Sequence, residues 1–191
     1  MRVGILGGAF DPIHAGHLGL AEAARNHFAL DRLFFVPSFR SPFGNTEKCA
    51  TPSRVRLEMV KAAIRDSSRF DLSDLEIKRK GTSYTIDTLR EFRKRYPAPH
   101  ELFFVIGSDW AGRLGEWKEI DAVLELCQLA AAKRPGSNFE PFAPAVQQFP
   151  MAPADISSTR IREMIRNGQD VTPWVPQAVL EVVKKHHLYQ S

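Results

Sequence analysis

Cysteine is almost missing from this sequence: Cys49 and Cys127 are the only two among 191 residues. They lie far apart and in no paired zinc spacing, so a disulfide framework and a cysteine metal site are both excluded, and two reduced structural thiols in a cytoplasmic protein are expected. Long apolar runs are missing too. None approaches the ~18 residues needed to cross a bilayer, and the start carries Arg2 but no apolar signal region or cleavage pattern, so no membrane association is expected. No internal repeat or low-complexity tract occurs. Gly4, Gly7 and Gly8 do not complete G-x-G-x-x-G, no acidic residue closes the second apolar strand, and G-x-x-x-x-G-K-[ST] is absent. A dinucleotide-binding dehydrogenase and a P-loop enzyme are therefore not indicated. No basic run interleaved with aromatics suggests nucleic acid. The 26 Lys and Arg against 22 Asp and Glu leave a net +4 and a pI near 9.2, a balance that suits phosphorylated small molecules.

What is present is an alternation of apolar strands and amphipathic helices. Val3, Ile5 and Leu6 form a short buried strand, Leu20, Ala21, Ala24 and Phe28 a helix beginning near Leu18, and Arg32 to Pro37 a second buried strand. Ser38 to Thr51 is a long aperiodic loop. Thr51 is the expected N-cap, and Pro52 the first residue, of a helix with Val55, Met59, Val60, Ala63 and Ile64 inward. Phe70 to Ile77 alternates like a half-exposed strand. A helix follows Ser83-Tyr84-Thr85 and ends at Pro97, Leu102 to Ile106 is a central strand, Ile120 to Leu126 a helix, and Leu129 to Ala132 a strand. Between 137 and 154 only a short strand near Val146 to Phe149 is expected. Ile156-Ser157-Ser158-Thr159 caps a helix ending at Asn167-Gly168, and Pro176 opens a last one. The expectation is one α/β domain over residues 1–191: a Rossmann-like open parallel sheet with helices on both faces, and a C-terminal helical portion from 156 to 191 that completes the site.

The residues suggest where that site lies. Gly7 to His17 is a strand-to-helix turn in which adjacent glycines let backbone approach a ligand, and His14 and His17 stand at a helix start, where N–H groups and the dipole favour anions. A chain turn with two capping histidines is the plainer reading, and the doubled glycine beside both histidines weighs against it. Zinc would need three or four ligands, and the pair has no companions. Ser157, Ser158 and Thr159, with Arg162 a turn further in, form a second candidate anion site. Gly107 and Asp109 end the central strand, where open α/β sheets bind ligands.

The string G-G-x-F-D-P-x-H-x-G-H over Gly7 to His17 resembles the signature of the HxGH nucleotidyltransferases. Ser83-Tyr84-Thr85-Ile86-Asp87-Thr88-Leu89, Ile106-Gly107-Ser108-Asp109, Trp117, Arg134-Pro135-Gly136 and the string from Ile156 to Arg162 resemble the bacterial nicotinate-nucleotide adenylyltransferase family. The resemblance spans nearly the whole chain. It implies transfer of AMP from ATP to nicotinate mononucleotide, giving nicotinate adenine dinucleotide and pyrophosphate in NAD biosynthesis. It further implies His14 and His17 as catalytic donors to phosphate oxygens. Gly7, Gly8, Ala9, Phe10, Gly107, Asp109, Arg134, Ile156, Ser157, Ser158 and Arg162 would contact ATP. Asp11, Tyr84, Thr85, Asp87 and Trp117 would contact the nicotinate nucleotide, with Trp117 stacked on the cationic ring and N–H groups near Tyr84 and Thr85 receiving its carboxylate. Trp117 as a core residue and Asp87 as an ordinary first-turn acid are the plainer readings.

In such a transfer the attacking phosphate is already charged, so the protein's part is positioning and charge stabilisation rather than general base work. No carboxylate cluster offers to hold a metal, so Mg²⁺ is expected to arrive on ATP. The partners expected are ATP and nicotinate mononucleotide, with no nucleic acid, no membrane, and the oligomeric state open. The chain departs from the family in the loop after the second strand: Ser41-Pro42-Phe43-Gly44-Asn45 lacks the lysine common there, leaving Arg40 or Lys48 to supply a cation. Three rival readings are an adenylyltransferase for the amide nucleotide, one for phosphopantetheine, and a non-catalytic nucleotide-binding or RNA-binding module.

Overall fold

The computed structural model describes residues 1–43, 51–107, 110, 112–133, 146–152 and 155–190. Strands β1 (Arg2–Gly8), β2 (Arg32–Pro37), β3 (Phe70–Leu72), β4 (Glu101–Ile106), β5 (Gln128–Lys133) and β6 (Val146–Pro150) alternate with helices α1 (Ala15–His27), α2 (Ser53–Ile64), α3 (Leu75–Arg79), α4 (Thr85–Arg95), α5 (Ile120–Leu126), α6 (Ser158–Arg166) and α7 (Gln177–Lys185). A 3₁₀ turn, Leu114–Glu116, precedes α5. The strands make one sheet in the order β3-β2-β1-β4-β5-β6, every pairing parallel. This is the open parallel sheet expected from the sequence, with its strands in a doubly wound order.

Successive strand residues point to opposite faces, and here both faces are covered. Leu6, Phe35, Phe103, Val105, Ala130 and Phe149 pack into one apolar layer with α1, α2, α6 and α7. Val3, Ile5, Phe34, Val36, Phe104, Ile106 and Leu129 pack into the other with α4 and α5. That is why the strands read as nearly unbroken apolar runs.

The C-terminal helix α7 lies against α2. Glu58 accepts from Lys185 Nζ at 2.7 Å and bonds His186 Nε2 at 2.9 Å. A largely exposed ion pair contributes about 0.2–1 kcal/mol. Each of the four buried side chains Val179, Leu180, Val182 and Val183 contributes about 1.5–3 kcal/mol. Apolar burial therefore seats α7, and the ion pair adds orientation.

Three expected boundaries are corrected. Helix α1 begins at Ala15, with His14 as its N-cap, rather than near Leu18. Helix α2 begins at Ser53 with Pro52 in the cap position and no side-chain cap bond, while the Thr51 hydroxyl donates to Tyr189 Oη at 3.3 Å. The stretch Phe70 to Ile77 is a strand only to Leu72 and then turns into α3, with Leu75 against the α4–α5 layer. Apolar residues two apart at 75 and 77 favour a strand; the helix instead turns Glu76 inward, 6% exposed, to accept from Thr88, a long-range partner that local pattern does not show. The expected short strand near Val146 is present as β6. Gly44, Lys48, Cys49, Asp109 and the turn at Arg134 lie outside the described residues. Cys127 is buried, and burial raises its thiol pKa to about 12, which fits a structural thiol. Among the described residues no helix is long and apolar enough to cross a membrane.

Candidate active site

Strand order reverses between β1 and β4, and their carboxyl ends, Gly8 and Ile106, open the crevice where doubly wound sheets take ligands. A Cβ at Gly8 would meet the Phe10 ring at 3.0 Å, so glycine lets Phe10 fold back over the strand end. A Cβ at Gly107 would stand in open space, leaving β4 bare toward the crevice.

His14 is 5% exposed, and its Nδ1 accepts from the Gly16 N–H at 3.1 Å. An accepting Nδ1 leaves the ring proton on Nε2, free to be donated. Burial lowers the His14 pKa to about 4. The His17 ring lies 3.9 Å from His14, centroid to centroid, with an edge contact to Phe10. Desolvation, then the proximity of His14, holds its pKa well below the usual histidine value. Both are neutral imidazoles near pH 7. The helix start they flank is already engaged, since Ala15 N–H donates to Trp174 O at 2.7 Å and Gly16 N–H to His14. The expectation that free first-turn N–H groups await an anion is thus corrected at Ala15 and Gly16, where the imidazoles are the donors left.

The depressed His14 pKa has a sign that can be measured. Above the unfolded value, about 6.5, neither state binds the proton. Between there and about 4 the unfolded chain binds it and the folded one does not, so stability falls as pH falls. The thermal midpoint of the free protein is expected to drop across this window, with a shallower slope in His14→Gln; equal slopes would show that His14 does not carry the effect.

The C-terminal portion grips the same loop from beneath. Ser158 Oγ donates to Pro12 O at 3.0 Å and Arg162 Nη1 to Asp11 O at 2.8 Å. Arg162 Nη2 reaches Thr159 Oγ1 at 3.2 Å, and Ser157 Oγ caps α6 by accepting from the Arg160 N–H. Ile156 is buried in the α6–α7 layer. Asp11, 1% exposed, accepts from Tyr189 Oη at 2.6 Å. It is turned into the protein. Burial and the Asp11 charge push the Tyr189 pKa up, so its proton stays. The structure therefore brings Gly7–His17 and Ser157–Arg162 together.

Across the crevice Trp117 is 9% exposed, edge-on to Phe104 and Trp110. Phe43 packs on Trp110 at 4.6 Å, and Arg113 lies over both rings. Tyr84 starts α4 with no side-chain cap bond, so the first-turn N–H groups lack that partner, and Lys118 Nζ stands 4.7 Å over the Tyr84 ring. Asp87 instead pairs with Arg90 at 3.8 Å and faces a 480 Å³ cavity lined with Arg79, Arg90 and Lys94, which no other candidate residue lines. Among the described residues six buried side-chain polar atoms lack a partner, and four of them, on Asp11, His17, Ser38 and Trp117, belong to this region. Unpaired buried polar groups are rare in folded proteins, and these four lie around one crevice.

Sequence reading missed two residues here. Arg56, 1% exposed, binds backbone carbonyls of the loops around the site; its signal was a cation four residues before Val60 on the apolar stripe of α2. Tyr189 reaches Asp11 across 178 residues, and nothing local announces that.

With the crevice defined, comparison assigns the class. The profile of the cytidylyltransferase-like family matches residues 5–164. A Desulfitobacterium hafniense protein named probable nicotinate-nucleotide adenylyltransferase is 40% identical over 99% of this chain and 96% of its own length. A Thermus thermophilus protein of the same name is 41% identical over the full length of both. The chain belongs to the cytidylyltransferase-like family and, within it, to the nicotinate-nucleotide adenylyltransferases. Its fold is also that of Plasmodium falciparum nicotinic acid mononucleotide adenylyltransferase complexed with NaAD, with a TM-score of 0.79 at 19% identity over 98% of this chain and 97% of that one.

Proposed function

We propose that this chain transfers the adenylyl group of ATP to nicotinate mononucleotide. A phosphate oxygen of the mononucleotide attacks the α-phosphorus, the bond from that phosphorus to the β-phosphate bridging oxygen breaks, and pyrophosphate leaves with those electrons. The observation that carries this reading is the pair of neutral imidazoles, 3.9 Å apart at the carboxyl end of β1. His14 has its Nε2 proton to donate. Donors fixed before the reaction stabilise charge developing on phosphate oxygens without reorganisation. Arg162, whose guanidinium has five N–H donors, two of them engaged on Asp11 O and Thr159 Oγ1, supplies charge from the other side.

Gly7 to Phe10, Gly107, Asp109, Arg134, Ile156, Ser157 and Ser158 complete the ATP side of this reading. Tyr84, Thr85 and Trp117 form the acceptor side, Asp11 shapes the loop between them, and Asp87 favours the α4 N-terminus. Support for the acid over the amide comes from the uncapped α4 start, where N–H groups suit a carboxylate, and from the names of the relatives. Nucleotidyltransferases of this ATP-dependent type generally use a divalent metal. Among the described residues no group of three or more His, Cys, Asp or Glu could hold one, so Mg²⁺ enters here as the ATP chelate, on the substrate. Arg40 is the described cation nearest in sequence to the missing loop lysine.

Pyrophosphate release is measured with Mg²⁺-ATP against nicotinate mononucleotide, its amide and phosphopantetheine. Release is expected to be at least about tenfold faster with the acid, which corresponds to about 1.4 kcal/mol of discrimination. Preference for another acceptor overturns the substrate assignment, and no release with any of them favours a binding protein.

A further inference from the structure

One guanidinium gathers the loops at the carboxyl ends of β1 and β2. Arg56 donates Nη1 to Ala9 O at 2.6 Å, Nη2 to Ser38 O at 2.6 Å and to Phe39 O at 3.2 Å, and Nε to Thr51 O at 3.2 Å. Ala9 belongs to the glycine turn that precedes the two histidines. Residues 38–40 belong to a segment that continues toward the acceptor side, where the Phe39 N–H donates to Ser83 Oγ at 3.0 Å and the Ser83 N–H to Arg40 O at 2.7 Å. Arg40 and Thr82 pair as an isolated parallel bridge. The acceptor turn is anchored in its own right by Glu76, 6% exposed, which accepts from Thr88 Oγ1 at 2.5 Å and is bonded by Ser83. The hydrogen bonds thus run without a gap from the phosphate turn, through Arg56 and residues 38–40, to the start of α4.

We propose that Arg56 is a positioning residue that sets the distance between the two substrate half-sites, acting through the Phe39–Ser83 link. The inference rests on the two-substrate reading above. Each half-site has its own local support, so either substrate alone still meets its contacts when the strut is weakened; what is lost is their mutual approach. Such a fault lowers turnover and leaves ground-state binding nearly intact, because a misplacement of about 1 Å can cost about 10²-fold in rate. A lysine in place of Arg56 keeps the charge but has no planar fork to hold carbonyls of both loops at once.

The experiment is steady-state kinetics with Mg²⁺-ATP and nicotinate mononucleotide on wild type, Arg56→Lys, Ser83→Ala and the double variant, with thermal midpoints recorded for each. Arg56→Lys is expected to lower kcat by about tenfold and to leave both KM values within about threefold. Ser83→Ala cuts the link at its far end and also removes the Ser83 bond to Glu76, leaving Thr88 on Glu76 to hold the acceptor turn; it should lower kcat by about threefold. The double variant should fall no further than Arg56→Lys alone, since both cut one connection. An unchanged kcat in a folded Arg56→Lys, a rise confined to the KM for ATP, or fully additive losses would overturn the proposal. If Arg56→Lys does not fold, Ser83→Ala decides by itself: a loss of kcat at constant KM supports the link, and wild-type kcat removes it. A wild type inactive toward nicotinate mononucleotide defeats the substrate reading and the strut with it, whereas an active wild type beside unaffected variants defeats the strut alone.

Discussion

Replacing His17 by alanine is expected to lower kcat by about 10²–10³-fold while the KM for ATP moves by no more than a few-fold. The size follows from what a fixed donor to a developing oxyanion contributes, about 2.7–4 kcal/mol when removed. The split between kcat and KM follows from the state in which the donation matters. A neutral imidazole bonds weakly to a ground-state phosphate that water also solvates. It bonds more strongly as charge gathers on the same oxygens in the transition state. His17 is suited to this because desolvation keeps it neutral and because its ring lies against His14 at the start of α1. The ring also rests on Phe10 and His14, so a control for packing is needed. His17→Asn restores a donor of smaller reach and should recover part of the loss. Wild-type turnover in His17→Ala would remove His17 from the reaction, and a loss explained by a fall in thermal midpoint would reduce it to a packing residue.

What the sequence revealed and what it hid follow one physical division. The sheet was legible because its central strands are covered on both faces. Leu33 to Val36 and Leu102 to Ile106 are buried throughout, and a continuous apolar run between turn residues leaves little else for a strand to be. The start of α4 was legible for a local reason, a turn at Ser83-Tyr84 followed by Ile86, Leu89 and Phe92 at helical spacing. The period of α1 was legible only from Leu18, because Ala15, Gly16 and His17 carry no large apolar side chain to extend it back to the His14 cap. The double-glycine turn and its histidines could be seen, but not that Trp174 would already occupy the Ala15 N–H. Long-range polar partners leave no mark in local pattern. Arg56 on two loops and Tyr189 on Asp11 are of that kind, and they emerge only when the chain is folded.

Arg162 is where the second large effect is expected. Its guanidinium is tied to Asp11 O and Thr159 Oγ1, so it braces the catalytic loop and brings a positive charge to it. Hydrogen bonds to charged groups are worth about 1.5–3 kcal/mol each. The brace ends on a neutral carbonyl, whereas the bonds proposed to ATP would end on a triphosphate, and that second set would carry more energy. Arg162→Ala is therefore expected to lower kcat/KM for ATP by about 10²-fold, with the KM for nicotinate mononucleotide within about threefold. Arg162→Lys returns a point charge without the fork and should stay about tenfold below wild type. The two roles separate in the salt dependence. If the charge acts on the triphosphate, the wild-type kcat/KM for ATP falls with rising salt and that of Arg162→Ala falls less steeply, because screening has one fewer attraction to weaken. If bracing is the whole role, the two slopes coincide. Parallel salt slopes with a full 10²-fold loss would assign Arg162 to the loop and leave His14 and His17 as the phosphate donors.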